Sequence, residues 1–196
     1  MVTLVIVDVQ NDFLPGGSLA VPDGDTIVKE INAILPNFDL VVATQDWHPQ
    51  NHQSFASNHK GKEAFEKVLV NGLEQVLWPD HCVQGTFGAD FPSTLNMNSV
   101  AAIFRKGMDK NMDSYSGFFD NNHNQTTGLS GYLKEKGAKD LYFCGLAADI
   151  CVYYTLQDAL KEGFHVTLLL DATRPLNQDV FLKQKQNFAA QGIRMQ

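Results

Sequence analysis

The chain alternates short, almost uninterrupted apolar runs with longer stretches in which apolar residues recur at helical spacing. The runs are Thr3–Val7, Leu40–Thr44, Val100–Arg105, Asp140–Cys144 and His165–Leu170. They are rich in Val, Ile and Leu and near-continuous, which predicts parallel strands buried on both faces. Between them, Asp25–Leu35 brings Ile27, Ile31, Ile34 and Leu35 to one face. Thr127–Lys136 does the same with Leu129 and Leu133, and Asp149–Glu162 with Val152, Leu156, Ala159 and Leu160. Gly137 and Gly163 stand where these helices should stop, since glycine takes the left-handed C-terminal conformation at little steric cost. Asn177–Gln191 reads as a last helix, and residues 192–195 as a returning edge strand. Such alternation predicts an α/β fold: a doubly wound, mostly parallel six-stranded sheet with helices on both faces and a Rossmann-like strand order, in one domain over residues 1–196.

One connection breaks the rhythm. Residues 45–98 form a long stretch without strong periodicity, and connections of that length inside a compact domain are usually functional. It holds four of the six histidines. No internal repeat or low-complexity linker accompanies it.

Composition narrows the class of partner. Among 196 residues, 15 Lys+Arg face 22 Asp+Glu, a formal charge of −7. No basic patch is available for phosphate contacts, so neither a nucleic acid nor an anionic membrane is an expected partner. A small molecule is, and oligomeric state stays open, a homo-oligomer included. No segment approaches the roughly 20 apolar residues of a membrane span, and the apolar N-terminus lacks the basic flank and cleavage site of a signal peptide. Three widely spaced cysteines, Cys82, Cys144 and Cys151, fit a reducing cytoplasm better than a disulfide framework.

In open α/β sheets the ligand crevice lies at the carboxyl ends of the strands. Asp8 ends the first run, Lys106 follows the third, and Cys151 opens the helix after the fourth. Gly145 and Ala147-Ala148 make a tight small-residue turn before that cysteine, with Asp149 as the expected N-cap. The first helical turn offers free N–H groups that stabilise a thiolate or a developing oxyanion. A thiol beside a carboxylate and a lysine suits amide hydrolysis: the sulfur attacks, the carboxylate carries the proton, and the lysine holds the carboxylate in place and favours the thiolate. Cys144 reads as core and Cys82 as structural.

In the long connection, Asp46 and His48 fall on the same side of an extended segment, and His81 follows Pro79 in a rigid turn. One carboxylate and two imidazoles leave open positions, the pattern of a catalytic divalent-metal site. His52, His59, His123 and His165 read as ordinary hydrogen-bonded side chains. The series Asp109, Asn111, Asp113, Asp120 imitates a calcium loop but has Ser114 at the glycine position and no glutamate at the twelfth.

Taken in order, VDVQNDFLPGGSLAV, ATQDWHPQNHQSFASNH, WPDHCVQGT, FRKG, DSYSGF and CGLAADICVYYTLQDA resemble the nicotinamidases (nicotinamide and pyrazinamide deamidases) of the isochorismatase-like cysteine hydrolases. The DWHP and WPDHCVQGT segments carry most of the specificity, because they supply a metal site many relatives lack. The resemblance implies a triad of Asp8, Lys106 and Cys151, and one divalent metal ion, zinc before iron or manganese, on Asp46, His48 and His81. Where some members have a fourth ligand this chain has Ser54, so waters or a Ser54 contact should complete the shell. It further implies an oxyanion hole from the N–H groups of Ala147 and Cys151, a cis Leu146–Ala147 peptide, and aromatic pocket residues Phe13, Trp78 and Tyr115. A pocket position often filled by histidine is Ile150 here. The implied reaction converts nicotinamide to nicotinate and ammonia through a thioester, in NAD salvage, with pyrazinamide as a further substrate. Hydrolases of carbamoyl or ureido compounds keep the cysteine and are set apart mainly by the metal motif. The isochorismate enzymes need no cysteine nucleophile, and a phospho-acceptor module would leave Cys151 unexplained.

Overall fold

A computed structural model describes residues 1–196. Six strands form one sheet: β1 (Val2–Val7), β2 (Leu40–Asp46), β5 (Ala102–Lys106), β6 (Asp140–Leu146), β7 (His165–Arg174) and β8 (Ile193–Met195). They lie side by side in the order β5-β2-β1-β6-β7-β8. Every neighbouring pair is parallel, so the sheet is wholly rather than mostly parallel. The order reverses between β1 and β6, which makes their carboxyl ends the crevice of a doubly wound sheet.

Both faces are covered, as the continuous apolar runs predict. Val5 and Val7 of β1, Val42 of β2 and Phe143 of β6 pack with Leu129 and Leu133 of α2 (Leu129–Glu135), Leu156 of α3 (Tyr153–Lys161) and Phe181 and Phe188 of α4 (Gln178–Gln191). The alternate residues Leu4, Ile6, Val41 and Ala43 face Ile27, Val28 and Ile31 of α1 (Thr26–Ile34). Full burial of a side chain such as Ile31, which has no exposed surface, contributes about 1.5–3 kcal/mol. This packing holds the strand ends still.

At the switch point the backbones approach closely. Gly145 pairs with Val7 across β1 and β6; its φ is +115°, and a β-carbon there would collide with the Val7 carbonyl. Only glycine fits.

The long connection is more structured than the sequence suggests. It carries an antiparallel hairpin, β3 (Lys67–Val70) and β4 (Leu73–Val76), which no periodicity announces. No helix is long and apolar enough to cross a membrane.

Candidate active site

Three elements bring Asp8, Lys106 and Cys151 together. Asp8 follows β1, Lys106 is the last residue of β5, and Cys151 lies in a five-residue π-helical turn, Ala148–Val152, that runs into α3. All three are buried, Asp8 completely. Lys106 Nζ stands 3.0 Å from Asp8 Oδ2 and 3.0 Å from Asp46 Oδ1. It donates to Ser114 O at 2.7 Å and reaches Cys151 Sγ at 3.7 Å. Asp8 Oδ1 accepts from Thr44 Oγ1 at 2.6 Å. Its Oδ2 accepts no hydrogen bond of ordinary geometry, although the same carboxyl interacts with the Cys151 thiol.

The electrostatics follow from burial and these contacts. Burial pushes the Asp8 carboxyl up, against the pull of Lys106. Burial also works against the Lys106 ammonium, but Asp46, Asp8 and Cys151 together hold its pKa well above the ordinary lysine range. The Cys151 thiol is driven well up by burial; Lys106 pulls it down, while Asp8 and Asp46 add to the rise. The expected helix-stabilised thiolate is therefore corrected to a neutral thiol. Two buried carboxyls and desolvation outweigh one ammonium and the short opening turn.

The expected N-cap is also different. Ala147 caps the π turn without a side-chain bond. The Asp149 side chain, 4% exposed, instead accepts from the N–H groups of Leu176 at 2.7 Å and Asn177 at 2.9 Å. A carboxylate used for this long-range tie is unavailable to cap its own helix. The Leu146–Ala147 peptide is cis. The carbonyl of Ala147 accepts from Ile150 and Val152, and the Cys151 side chain and Ala147 line the same pocket.

Beside this cluster, Asp46, His48 and His81 converge as a group able to hold a metal ion. Asp46 Oδ2 is 2.9 Å from His48 Nε2 and 3.3 Å from His81 Nε2. Each imidazole turns its other nitrogen to a backbone carbonyl: His48 Nδ1 to Gly107 O and His81 Nδ1 to Pro79 O, both at 2.8 Å. With Nδ1 turned to a carbonyl, each ring presents Nε2 to the Asp46 carboxylate, the nitrogen at which a divalent cation would replace a proton. Burial raises the Asp46 carboxyl, but His48 and Lys106 more than offset that and hold it well below the usual range. A carboxylate and two correctly oriented imidazoles fit a divalent cation on donor chemistry alone.

A second grouping of His48, His52 and Asp113 is geometrically close. His52 Nδ1, however, faces Ser54 Oγ at 2.7 Å and the Ser54 N–H at 3.1 Å. Its lone pair is thus engaged. Burial, and then His48, lower its pKa to about 4. Ser54 is tied to His52, whose ring lies 4.3 Å from that of His48.

A pocket of about 390 Å³ opens above these groups, lined by Phe13, Trp78 and Tyr115 with Asp46, His81 and Cys151 among others. Fold, crevice and side-chain constellation point to one lineage, and comparison agrees. Residues 2–192 match the isochorismatase domain model. The chain belongs to the isochorismatase family. It is 45% identical to a nicotinamidase of Acinetobacter baylyi over 97% of this chain and 89% of that protein. A solved structure described as an Acinetobacter baumanii nicotinamidase pyrazinamidase superposes with a TM-score of 0.95 at 46% identity, covering 99% of this chain and 94% of that one. The pyrazinamidase of Pyrococcus horikoshii, solved in complex with zinc, gives 0.82 at 37% identity over 100% and 98%.

Within this isochorismatase-family site, sequence reading missed the residues that brace it. Gln10 clamps the backbone of Asp46 from both sides, accepting from its N–H and donating to its carbonyl, each at 2.8 Å. Asp12 Oδ2 accepts from the N–H of Cys82 at 2.7 Å, while Cys82 O accepts from the N–H of His48 at 3.0 Å. The loop after β1 therefore presents Asp8, Gln10 and Asp12 at every second position to three parts of one site. That spacing was the available signal. Asp113 also lines the pocket; it accepts from Gln75 of β4 at 3.0 Å and from the N–H of Ser114 at 2.7 Å.

Proposed function

We propose that this protein is a nicotinamidase: it hydrolyses nicotinamide to nicotinate and ammonia, accepts pyrazinamide as well, and so serves pyridine-nucleotide salvage in a reducing compartment. One observation carries the reading. A thiol, a fully buried carboxyl and an ammonium that reaches both meet beside a pocket whose aromatic sides suit a flat heteroaromatic amide.

In this mechanism Cys151 Sγ attacks the carboxamide carbon as Asp8 takes the thiol proton. The Ala147 and Cys151 N–H groups receive the developing oxyanion, a kind of donor worth about 2.7–4 kcal/mol each. Asp8 returns the proton to the nitrogen, the C–N bond breaks, and ammonia leaves a thioester on Cys151. A water then gives a proton to Asp8 and adds to the thioester carbon; the C–S bond breaks as Asp8 returns that proton to Cys151 Sγ, and nicotinic acid leaves and ionises to nicotinate. Lys106 keeps Asp8 in place and stays charged throughout. Phe13, Trp78 and Tyr115 flank the ring. Asp46, His48 and His81 would hold a divalent cation, zinc by analogy with the Pyrococcus relative, with waters or Ser54 completing its shell. When bound, that ion supplies a Lewis-acidic anchor for the ring nitrogen.

Ammonia release from nicotinamide by the purified protein tests the activity. Cys151→Ala should abolish release while metal content and circular dichroism stay as in the wild type. Retained turnover in that variant would sink the mechanism, and none in the metal-loaded wild type would sink the function.

A further inference from the structure

Two buried threonines meet one glycine beside the catalytic groups. Thr155, in the first turn of α3, has no exposed surface. Its Oγ1 donates to the carbonyl of Cys151 at 2.6 Å and accepts from the N–H of Gly117 at 2.9 Å. The direction of both bonds is fixed, because a carbonyl only accepts, a backbone N–H only donates, and the hydroxyl has a single proton. A helical threonine often bonds the carbonyl four residues back. Here the same oxygen also takes an N–H from outside the helix, and the carbonyl it holds belongs to the nucleophile.

Thr44 of β2, fully buried as well, abuts the same glycine. A β-carbon on Gly117 would lie 2.7 Å from Thr44 Cγ2 and 3.4 Å from Thr155 Cγ2. Thr44 Oγ1 donates to Asp8 Oδ1 at 2.6 Å and accepts from the Asp8 N–H at 3.2 Å. Three residues before Gly117, the Ser114 carbonyl accepts from Lys106 Nζ at 2.7 Å. Residues 114–117 therefore hold Lys106 directly and reach Asp8 and Cys151 through one threonine each. Neither threonine nor the glycine lines the pocket.

We infer that Thr155 is a positioning residue for the nucleophile: its hydroxyl ties the Cys151 carbonyl to Gly117, and so sets Cys151 against the Asp8 and Lys106 groups that the same segment supports. The inference rests on the nicotinamidase reading, and the physical link is short. The carbonyl and the side chain of Cys151 share one α-carbon. Holding the carbonyl fixes the rotation between them, and with it the direction from which Sγ is presented. The π turn that carries Cys151 starts without a side-chain cap, so an anchor at its far end counts for more.

Thr155→Val keeps the shape of the side chain and removes both bonds. The segment stays docked through Thr127 Oγ1 on the Gly117 carbonyl at 2.7 Å and through His123 on Asp158 of α3 at 2.9 Å, so the variant should fold. Its kcat for ammonia release from nicotinamide should fall about 10- to 100-fold, the loss that a small misplacement of a reacting group causes. KM should change little, since Thr155 is absent from the pocket wall. Thr155→Ser returns the hydroxyl without the methyl and should recover most of the lost kcat. A residue serving stability alone would lower Tm in Thr155→Val and leave kcat of the folded protein as it was. Thr155→Ala is the second variant, should circular dichroism show Thr155→Val poorly folded. A wild-type kcat in the folded variant, a change in KM instead of kcat, or a Thr155→Ser protein as slow as Thr155→Val overturns the inference. Failure of both the valine and alanine variants to fold overturns it too, by assigning the hydroxyl to the fold. In all these cases the wild type still hydrolyses nicotinamide; a wild type that does not overturns the functional reading, and the inference with it.

Discussion

His48 donates its Nδ1 proton to the carbonyl of Gly107 across 2.8 Å, and the same glycine leaves no space for a β-carbon. A methyl group there would stand 2.6 Å from His48 Nδ1 and 3.0 Å from Asp46 Oδ1, at a φ of +65° that L-residues rarely adopt. The glycine thus fixes both the tautomer and the position of a candidate ligand. Gly107→Ala is expected to displace the imidazole and lower metal affinity about 10- to 100-fold, the usual range for disturbing a partner of a ligating histidine. Chelator competition, with metal content after desalting, measures this without any assay of turnover. Wild-type affinity would mean that His48 is not a ligand.

The pH profile follows from the buried groups. Burial raises the Asp8 carboxyl above its ordinary 3.8, and the proposed mechanism needs the carboxylate. Activity is therefore lost as pH falls through that raised value, and the acid limb of kcat/KM lies above 3.8. Lys106 stays charged, because its pKa is held well above 10.5. Cys151 stays a thiol to well above 9.0, so no alkaline step in the neutral range reports its ionisation. Alkylation of Cys151 by iodoacetamide should still be accelerating at pH 9.0, the ordinary thiol value. A rate already level at neutral pH would reveal a resting thiolate and overturn the neutral-thiol assignment.

What the sequence disclosed, and what it concealed, has a physical pattern. The four inner strands, β2, β1, β6 and β7, were legible because burial on both faces demands unbroken apolar runs, whereas the edge strands β5 and β8 are partly exposed; Asp8, Lys106 and Cys151 were legible because parallel strands end in the crevice. The hairpin was not. Its strands have four residues each, and their half-exposed pattern includes Lys67 and Glu74. Yet Asn71-Gly72 between them, with φ values of 51° and 82°, is the commonest signature of a tight hairpin turn. The thiol state was misjudged for another reason. Proximity to a helix start is visible in the chain, but desolvation and the Asp46 carboxyl arrive from strands distant in sequence. Asp149 fits the local rule for an N-cap and is used instead by a loop 27 residues away.

That last tie yields a separable prediction. Asp149 holds Leu176 and Asn177 through two backbone N–H groups, and Gln184 of α4 donates to its carbonyl at 3.0 Å. Asp149→Ala leaves the two N–H groups without their acceptor at a cost of about 1–3 kcal/mol, which should lower Tm by several degrees. Since Leu176 forms part of the pocket wall, its release should raise KM for nicotinamide more than it lowers kcat, because Asp8, Lys106 and Cys151 keep their contacts. Asp149→Asn keeps one oxygen acceptor and should fall between the two. Steady-state kinetics decide the matter: a kcat that drops in step with kcat/KM would place the effect on the nucleophile turn rather than on the wall.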